Sequence, residues 1–235
     1  MTTFGVFWVS LCLLTFFLPI RYIAALLIFS CIFQSSGVID LGSGKTVFPV
    51  LVTEAFLFIR VIPLLIVKSK IRIDSLFKYL FYFGLFTVII TFYLPTIFSG
   101  IDVFVYGIGI DTNLVKGGES LRFSSSNLVQ VVYLSINLFT CFCLGNIEKR
   151  PSDRDFKFYL NSFVISILAV LFIGFWEYFS KTTGLITFPK SFFITSDITQ
   201  SEQTTMGGLK RLNATFYEAS YAGSFLAASF WALWS

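Results

Sequence analysis

The residues best suited to chemistry lie together in Lys210-Arg211-Leu212-Asn213-Ala214-Thr215-Phe216-Tyr217-Glu218-Ala219-Ser220-Tyr221-Ala222-Gly223-Ser224-Phe225-Leu226. A basic pair closes a polar stretch, a short turn follows, and a carboxylate opens an apolar run rich in small residues. Arg211 carries a planar donor fork that matches phosphate oxygens, and Lys210 adds a second cation. Glu218 stands one or two helical turns into the apolar run, where it can orient Arg211 or hold a substrate hydroxyl. Tyr217 and Ser220 flank it as substrate-binding candidates. Ala222, Gly223, Ala227 and Ala228 allow a neighbouring helix or a lipid-linked substrate to approach closely. The plainer account of the same pattern is an interfacial cation that anchors a helix end, and the residues alone leave both open.

Other candidates carry less. Gly42-Ser43-Gly44-Lys45-Thr46 has the end of a phosphate-binding loop, but Ile39 stands where that pattern needs its first glycine, so a flexible turn explains it. Asn213-Ala214-Thr215 is a formal glycosylation sequon at the edge of an apolar run, where a chance match is the better account. Glu54 and Arg60 fall inside an apolar span; about 120° apart on a helix, they are partners for other helices or markers of a substrate path, not a local pair. Glu177, between Trp176 and Tyr178, reads as a carboxylate snorkelling into an aromatic belt. Cys12, Cys31, Cys141 and Cys143 all sit in apolar runs and behave as small hydrophobes. With no histidine in the chain, neither a zinc site of the usual ligand set nor a histidine-dependent triad can be drawn from these residues.

The elements that must position these groups follow from composition. Of 235 residues, 56% are hydrophobic and 13% charged, with thirty-one phenylalanines. Soluble domains carry about 25% charged residues, so the chain cannot coat a water-facing surface. A soluble enzyme, a disordered tail, a nucleic-acid-binding module and a disulfide scaffold are excluded. The expected fold class is all-α, a polytopic integral membrane protein. Apolar runs at 4–20, 22–39, 47–67, 76–99, 126–146, 158–180 and 215–234 predict about seven transmembrane helices in a single helical domain over 1–235. The first run lacks a basic leader and a cleavage site and reads as a retained helix.

Charge orients these spans. Lys68, Lys70, Arg72 and Lys78 crowd one link, and Lys149, Arg150, Arg154 and Lys157 another. The positive-inside rule places both links, about 68–75 and 147–157, in the cytoplasm. The long links 100–125 and 181–214 then lie outside, and Arg122 in the first is a further substrate-binding candidate. Counting back puts the N-terminus outside, unless the Pro19–Arg21 break marks a shallow hairpin and the count is off by one.

Arg211-Leu212-x-x-Thr215-Phe216-x-Glu218-x-Ser220-x-x-Gly223-x-Phe225-Leu226 resembles the signature of the O-antigen ligase and O-antigen polymerase family, bacterial inner-membrane glycosyltransferases with many helices. The family pattern reads roughly R-[LFY]-x-G-[TL]-F-x-[ED]-P-[NS], so Ala214 replaces its glycine and Ala219 its proline, which leaves the turn into the helix less constrained. The resemblance covers about 17 residues, and the span layout before it is compatible. It implies a metal-independent and cofactor-independent transfer at the outer face of the inner membrane, with a glycan on undecaprenyl pyrophosphate as donor. Arg211 then contacts the pyrophosphate and Glu218 serves beside it as the second catalytic group. The implied partners are that lipid-linked glycan, membrane lipid and other polysaccharide-assembly proteins, with no nucleic acid. Polymerase is preferred to ligase because the ligase histidine is not visible. In the family a large outer loop with a second arginine follows, so the resemblance implies the N-terminal part of a longer protein, or a truncated product. A non-enzymatic transporter or flippase, and an accessory membrane subunit, are the alternative functions.

Overall fold

Eight helices and three short hairpins make up the described residues of the computed structural model, which are 1–42, 46–67, 73, 75–103, 119–120, 123–147, 153–184, 186–194, 205–206, 209–210, 214–216 and 219–234. The helices are α1 (Thr3–Phe17), α2 (Ile20–Ser30), α3 (Pro49–Val67), α4 (Ser75–Ile97), α5 (Ser125–Ile147), α6 (Asp153–Thr183), α7 (Lys190–Phe193) and α8 (Ala219–Trp234). The antiparallel hairpins have strands of two residues: β1 (Ile39–Asp40) with β2 (Thr46–Val47), β3 (Asp102–Val103) with β4 (Glu119–Ser120), and β5 (Thr205–Met206) with β6 (Leu209–Lys210). The chain is thus helical as expected, with each hairpin in a link between helices.

The expected seven spans become four. Among the described residues, α3, α4, α5 and α6 are long and apolar enough to cross a bilayer. The first two runs form helices of 15 and 11 residues, roughly 22 and 16 Å against an apolar core of about 30 Å. α8 has 16 residues. The physical reason is clearest in α2. Hydropathy continues past Ser30, but the chain reads Cys31-Ile32-Phe33-Gln34-Ser35-Ser36-Gly37-Val38. Hydroxyls here bond to backbone outside a helix, competing with the helical ladder. Ser30 turns its hydroxyl back onto the Leu27 carbonyl at 2.6 Å, and the helix stops.

The chain divides into two compact units, 1–57 with 151–235, and 58–150; α3 runs from one into the other. In the first unit, α1 and α2 form a helical hairpin broken at Leu18–Pro19. Thr2 caps α1, its hydroxyl accepting the Gly5 N–H at 2.8 Å, which satisfies one orphan donor of the first turn. α2 then packs along α6. At its start Arg21 meets Asp155 at 3.7 Å and lies over the Tyr22 and Phe158 rings at 5.3 and 5.5 Å. At its far end the segment 31–38 reaches Phe193 and Thr215. Thr2 also bonds to Gly37 and Val38. The N-terminal residues and the C-terminal end of α6 therefore share one end of this unit, and the α1–α2 turn and the start of α6 share the other.

The core of this unit is aromatic. Phe4 and Trp8 stack with centroids 5.6 Å apart, and Phe33 stands against both at 5.3 Å. Phe192 packs its edge on Phe4 at 5.4 Å. Trp8 is fully buried, and its indole N–H donates to the Thr53 hydroxyl at 3.0 Å, tying α1 to the first turns of α3. Thr53 in turn donates to the Pro49 carbonyl at 2.8 Å.

In the second unit α4 and α5 pack together. Gly84 sits against Leu138 and Gly145 against Phe77, two places where a methyl group would collide with the neighbouring helix. Phe77 meets Phe142 at 5.5 Å and Phe58 meets Phe139 at 4.9 Å. Most of the remaining apolar side chains of α4 are exposed, among them Leu76, Phe81, Phe86 and Ile89. For a helix of this length and composition that surface suits lipid.

Gly5 packs directly on the Val38 carbonyl, and a Cβ there would overlap the carbonyl oxygen. Gly5→Ala is expected to destabilise the first unit by about 1–3 kcal/mol, the usual cost of overpacking. Thermal unfolding of the detergent-solubilised protein checks this; an unchanged midpoint contradicts the packing.

Candidate functional site

The residues that bind the two ends of this site together are Glu177 and the turn Ala214-Thr215-Phe216. α6 is 31 residues long, and its last turns carry Glu177 and Lys181 at a spacing that sets them on one face. Glu177 is 2% exposed and does not snorkel; this corrects the reading of an interfacial carboxylate. One carboxylate oxygen accepts from the Lys181 ammonium at 2.7 Å, and the other accepts from the Ala214 backbone N–H at 2.7 Å. The second bond spans 37 residues of sequence. A buried carboxylate loses hydration and is stable only when charge and hydrogen bonds replace it. Lys181 supplies the charge, and the amide supplies a donor with no side chain to reorganise.

The turn is fixed on its other side by the broken end of α2. Thr215 donates its hydroxyl to the Ile32 carbonyl, and its own carbonyl accepts the Ser35 N–H at 2.9 Å. Ala214, Thr215 and Phe216 are 3%, 0% and 1% exposed. Phe216 enters the aromatic core and meets Phe225 of α8 with centroids 5.5 Å apart. Nearby, Ser36 donates to the Phe193 carbonyl at 2.6 Å, so α7 closes over the same segment.

Ala214 has φ +50°, the left-handed region in which a Cβ is crowded. The turn is therefore tightly constrained, contrary to the expectation that an alanine here loosens it. The neighbouring carboxylate and the Thr215 bonds hold the alanine in a conformation that glycine adopts freely.

Of the residues singled out from the sequence, Arg122, Arg211, Tyr217 and Glu218 lie outside the described residues. Lys210 and Ser220 are placed by their backbone alone, in β6 and at the start of α8. Ser43, Gly44, Lys45 and Asn213 also lie outside. Glu54 is 2% exposed in the part of α3 that belongs to the first unit. Sequence reading missed the bond from Ala214 to Glu177. Its only local signal was the Glu177–Lys181 spacing; the amide partner comes from a distant turn. Among the described residues no cluster of three or more metal-ligating side chains occurs.

No protein-family model, no curated protein and no solved structure matches this chain.

Ala214→Gly is expected to be neutral or to stabilise by up to about 1 kcal/mol. It removes a left-handed penalty of about 1–2 kcal/mol and restores part of glycine's unfolded-state entropy. Ala214→Val, β-branched and buried at the same φ, is expected to cost about 2 kcal/mol or more. Denaturation midpoints of the two variants against wild type test the pair; equal losses for both contradict the strained turn.

Proposed function

We propose that the chain is part of a membrane glycosyltransferase of the O-antigen polymerase or ligase type, taking glycan from an undecaprenyl-pyrophosphate donor at the outer face of the bacterial inner membrane. The observation that carries this reading is the left-handed φ of Ala214. In the resembled signature this position is glycine, the residue that such a turn demands. The next two signature positions, Thr215 and Phe216, are buried, as residues that fix a turn must be.

In this reading Arg211, three residues before the anchored turn, binds the pyrophosphate. Its fork meets the charge that grows on the leaving diphosphate as the sugar–oxygen bond breaks, a preorganised electrostatic contribution. Glu218, two residues after Phe216, orients that arginine or an acceptor hydroxyl. Lys210, Arg122, Tyr217 and Ser220 contribute binding to the glycan and its diphosphate. The positive-inside rule places the basic start of α6, with Arg154 and Lys157, in the cytoplasm. The end of α6, and with it Glu177 and the turn, then faces outward, where lipid-linked repeats are joined.

A flippase or transporter is the second reading, favoured by one observation. α2 ends in a buried irregular segment, and broken helices commonly line transport paths.

In the protein expressed from its whole reading frame, Arg211→Ala is expected to lower glycan transfer at least about 100-fold, the scale for removing a preorganised charge-stabilising donor. Arg211→Lys is expected to fall between, since it keeps the charge and loses the fork. Lipid-linked repeats should then accumulate on the outer leaflet, open to a membrane-impermeant oxidant. Normal polysaccharide chain lengths in Arg211→Ala contradict the assignment, and accumulation on the inner leaflet favours the flippase.

A further inference from the structure

We propose that Arg21, with Arg154 and Lys157 beside it, binds the phosphate of an anionic phospholipid headgroup in the leaflet from which α6 starts. The site lies at the opposite end of the first unit from the 214–216 turn and stands whether or not the glycan reading does. Arg21 is the second residue of α2, directly after the Leu18–Pro19 break. Its guanidinium lies over the Tyr22 and Phe158 rings at 5.3 and 5.5 Å, and these rings meet edge to face at 5.2 Å. Cation–π contact with two rings holds the planar fork in place without using its N–H donors, which stay suited to an oxyanion.

The surrounding protein fills those donors poorly. Arg21 Nη1 stands 3.7 Å from Asp155, an ion pair longer than a hydrogen bond. The Nε is buried with no hydrogen-bond partner among the described residues, a cost that an anion drawn against the fork offsets. The side chain is still partly exposed, so the fork has an edge at the surface. On α6, Arg154 lies one turn before Phe158 on the same face, and Lys157 follows Arg154 by three residues; both cations are exposed. Over 149–157 the sequence sets Lys149, Arg150, Arg154 and Lys157 against Asp153 and Asp155. The stretch therefore stays positive with the carboxylate that faces Arg21 included.

The apolar surroundings point to a lipid as the source of the phosphate. Phe17, the last residue of α1, and Phe156, between the two cations of α6, are both exposed. Cations and open apolar side chains at one end of a helical unit match the level at which a phospholipid's headgroup meets its acyl chains. Basic sites between helices on that side of a membrane take such headgroups.

Binding of dioleoylphosphatidylglycerol to the detergent-solubilised protein, measured by native mass spectrometry against dioleoylphosphatidylcholine, tests this. The anionic lipid is expected to bind more tightly, and Arg21→Gln to weaken it about tenfold, the scale of a lost charge-assisted pair. Arg154→Gln with Lys157→Gln alters two exposed side chains, leaves the Arg21–Asp155 pair in place, and should weaken binding at least about fivefold. Asp155→Asn removes the competing carboxylate and should tighten binding about threefold. A purely structural tie between Arg21 and Asp155 predicts the reverse, since Asp155→Asn would then behave as Arg21→Gln does. Equal lipid binding by wild type and Arg21→Gln overturns the proposal, as does weaker binding by Asp155→Asn. Displacement of the lipid by inorganic phosphate assigns the site to a free anion and overturns it as well.

Discussion

The constraint on which the first unit depends is the backbone of residues 31–38, which leaves the helix while still packed among apolar side chains. Ile32, Phe33 and Ser35 to Val38 are buried there, and backbone groups that have left the helical ladder need other partners, since each unmet one would cost several kcal/mol. The protein meets this demand with groups from four directions. The Ile32 carbonyl takes the Thr215 hydroxyl, and the Ser35 N–H finds the Thr215 carbonyl. The Gly37 and Val38 carbonyls take Thr2, and the Val38 N–H goes to Val47. The break in α2 thereby recruits the N-terminus, the β1–β2 hairpin and the turn before α8 into one hydrogen-bonded layer. Ser36 adds α7 by its bond to Phe193.

On that layer rests the turn of chemical interest. A turn with a left-handed alanine does not hold itself, since the backbone gains about 1–2 kcal/mol by relaxing. Three bonds and the burial of Phe216 outweigh this. In the proposed reading, a cation that meets a diphosphate at a membrane surface gains little from charge alone in a wet, screened interface. It gains from being held in place before the substrate arrives. Glu177 holds the turn from the end of α6, the longest of the described helices, and α6 is itself packed along α2.

The legibility of the sequence follows the range of each interaction. α3 to α6 were readable because length and hydropathy suffice for a spanning helix, and each observed helix overlaps its expected run closely. The loss of α2 at Ser30 was not readable from hydropathy, since Ile32, Phe33 and Val38 keep the average high while Gln34 to Gly37 end the helix. The short helices α1 and α2 were counted as crossings for the same reason. Glu177 was misread because a carboxylate beside Trp176 and Tyr178 looks interfacial until its amide partner, 37 residues on, is known. The Ala214 turn was half legible: the motif marked the place, and only the backbone angle gave the reason for a glycine there. Arg211 and Glu218 lie outside the described residues, and no composition or periodicity relates them to α6.

The turn at 214–216 is bonded to the broken end of α2, and a disulfide across that bond is its sharpest test. In a variant with Cys12, Cys31, Cys141 and Cys143 replaced, Ser35→Cys and Thr215→Cys stand across a backbone bond of 2.9 Å. Such pairs bring Cα atoms within the roughly 4.4–6.8 Å that a disulfide spans. Rapid, near-complete cross-linking is expected in native membranes under mild oxidation, while a control pairing Ser35→Cys with Phe156→Cys, at the start of α6 and the other end of the same unit, stays reduced. Slow or absent cross-linking of the 35–215 pair would contradict it.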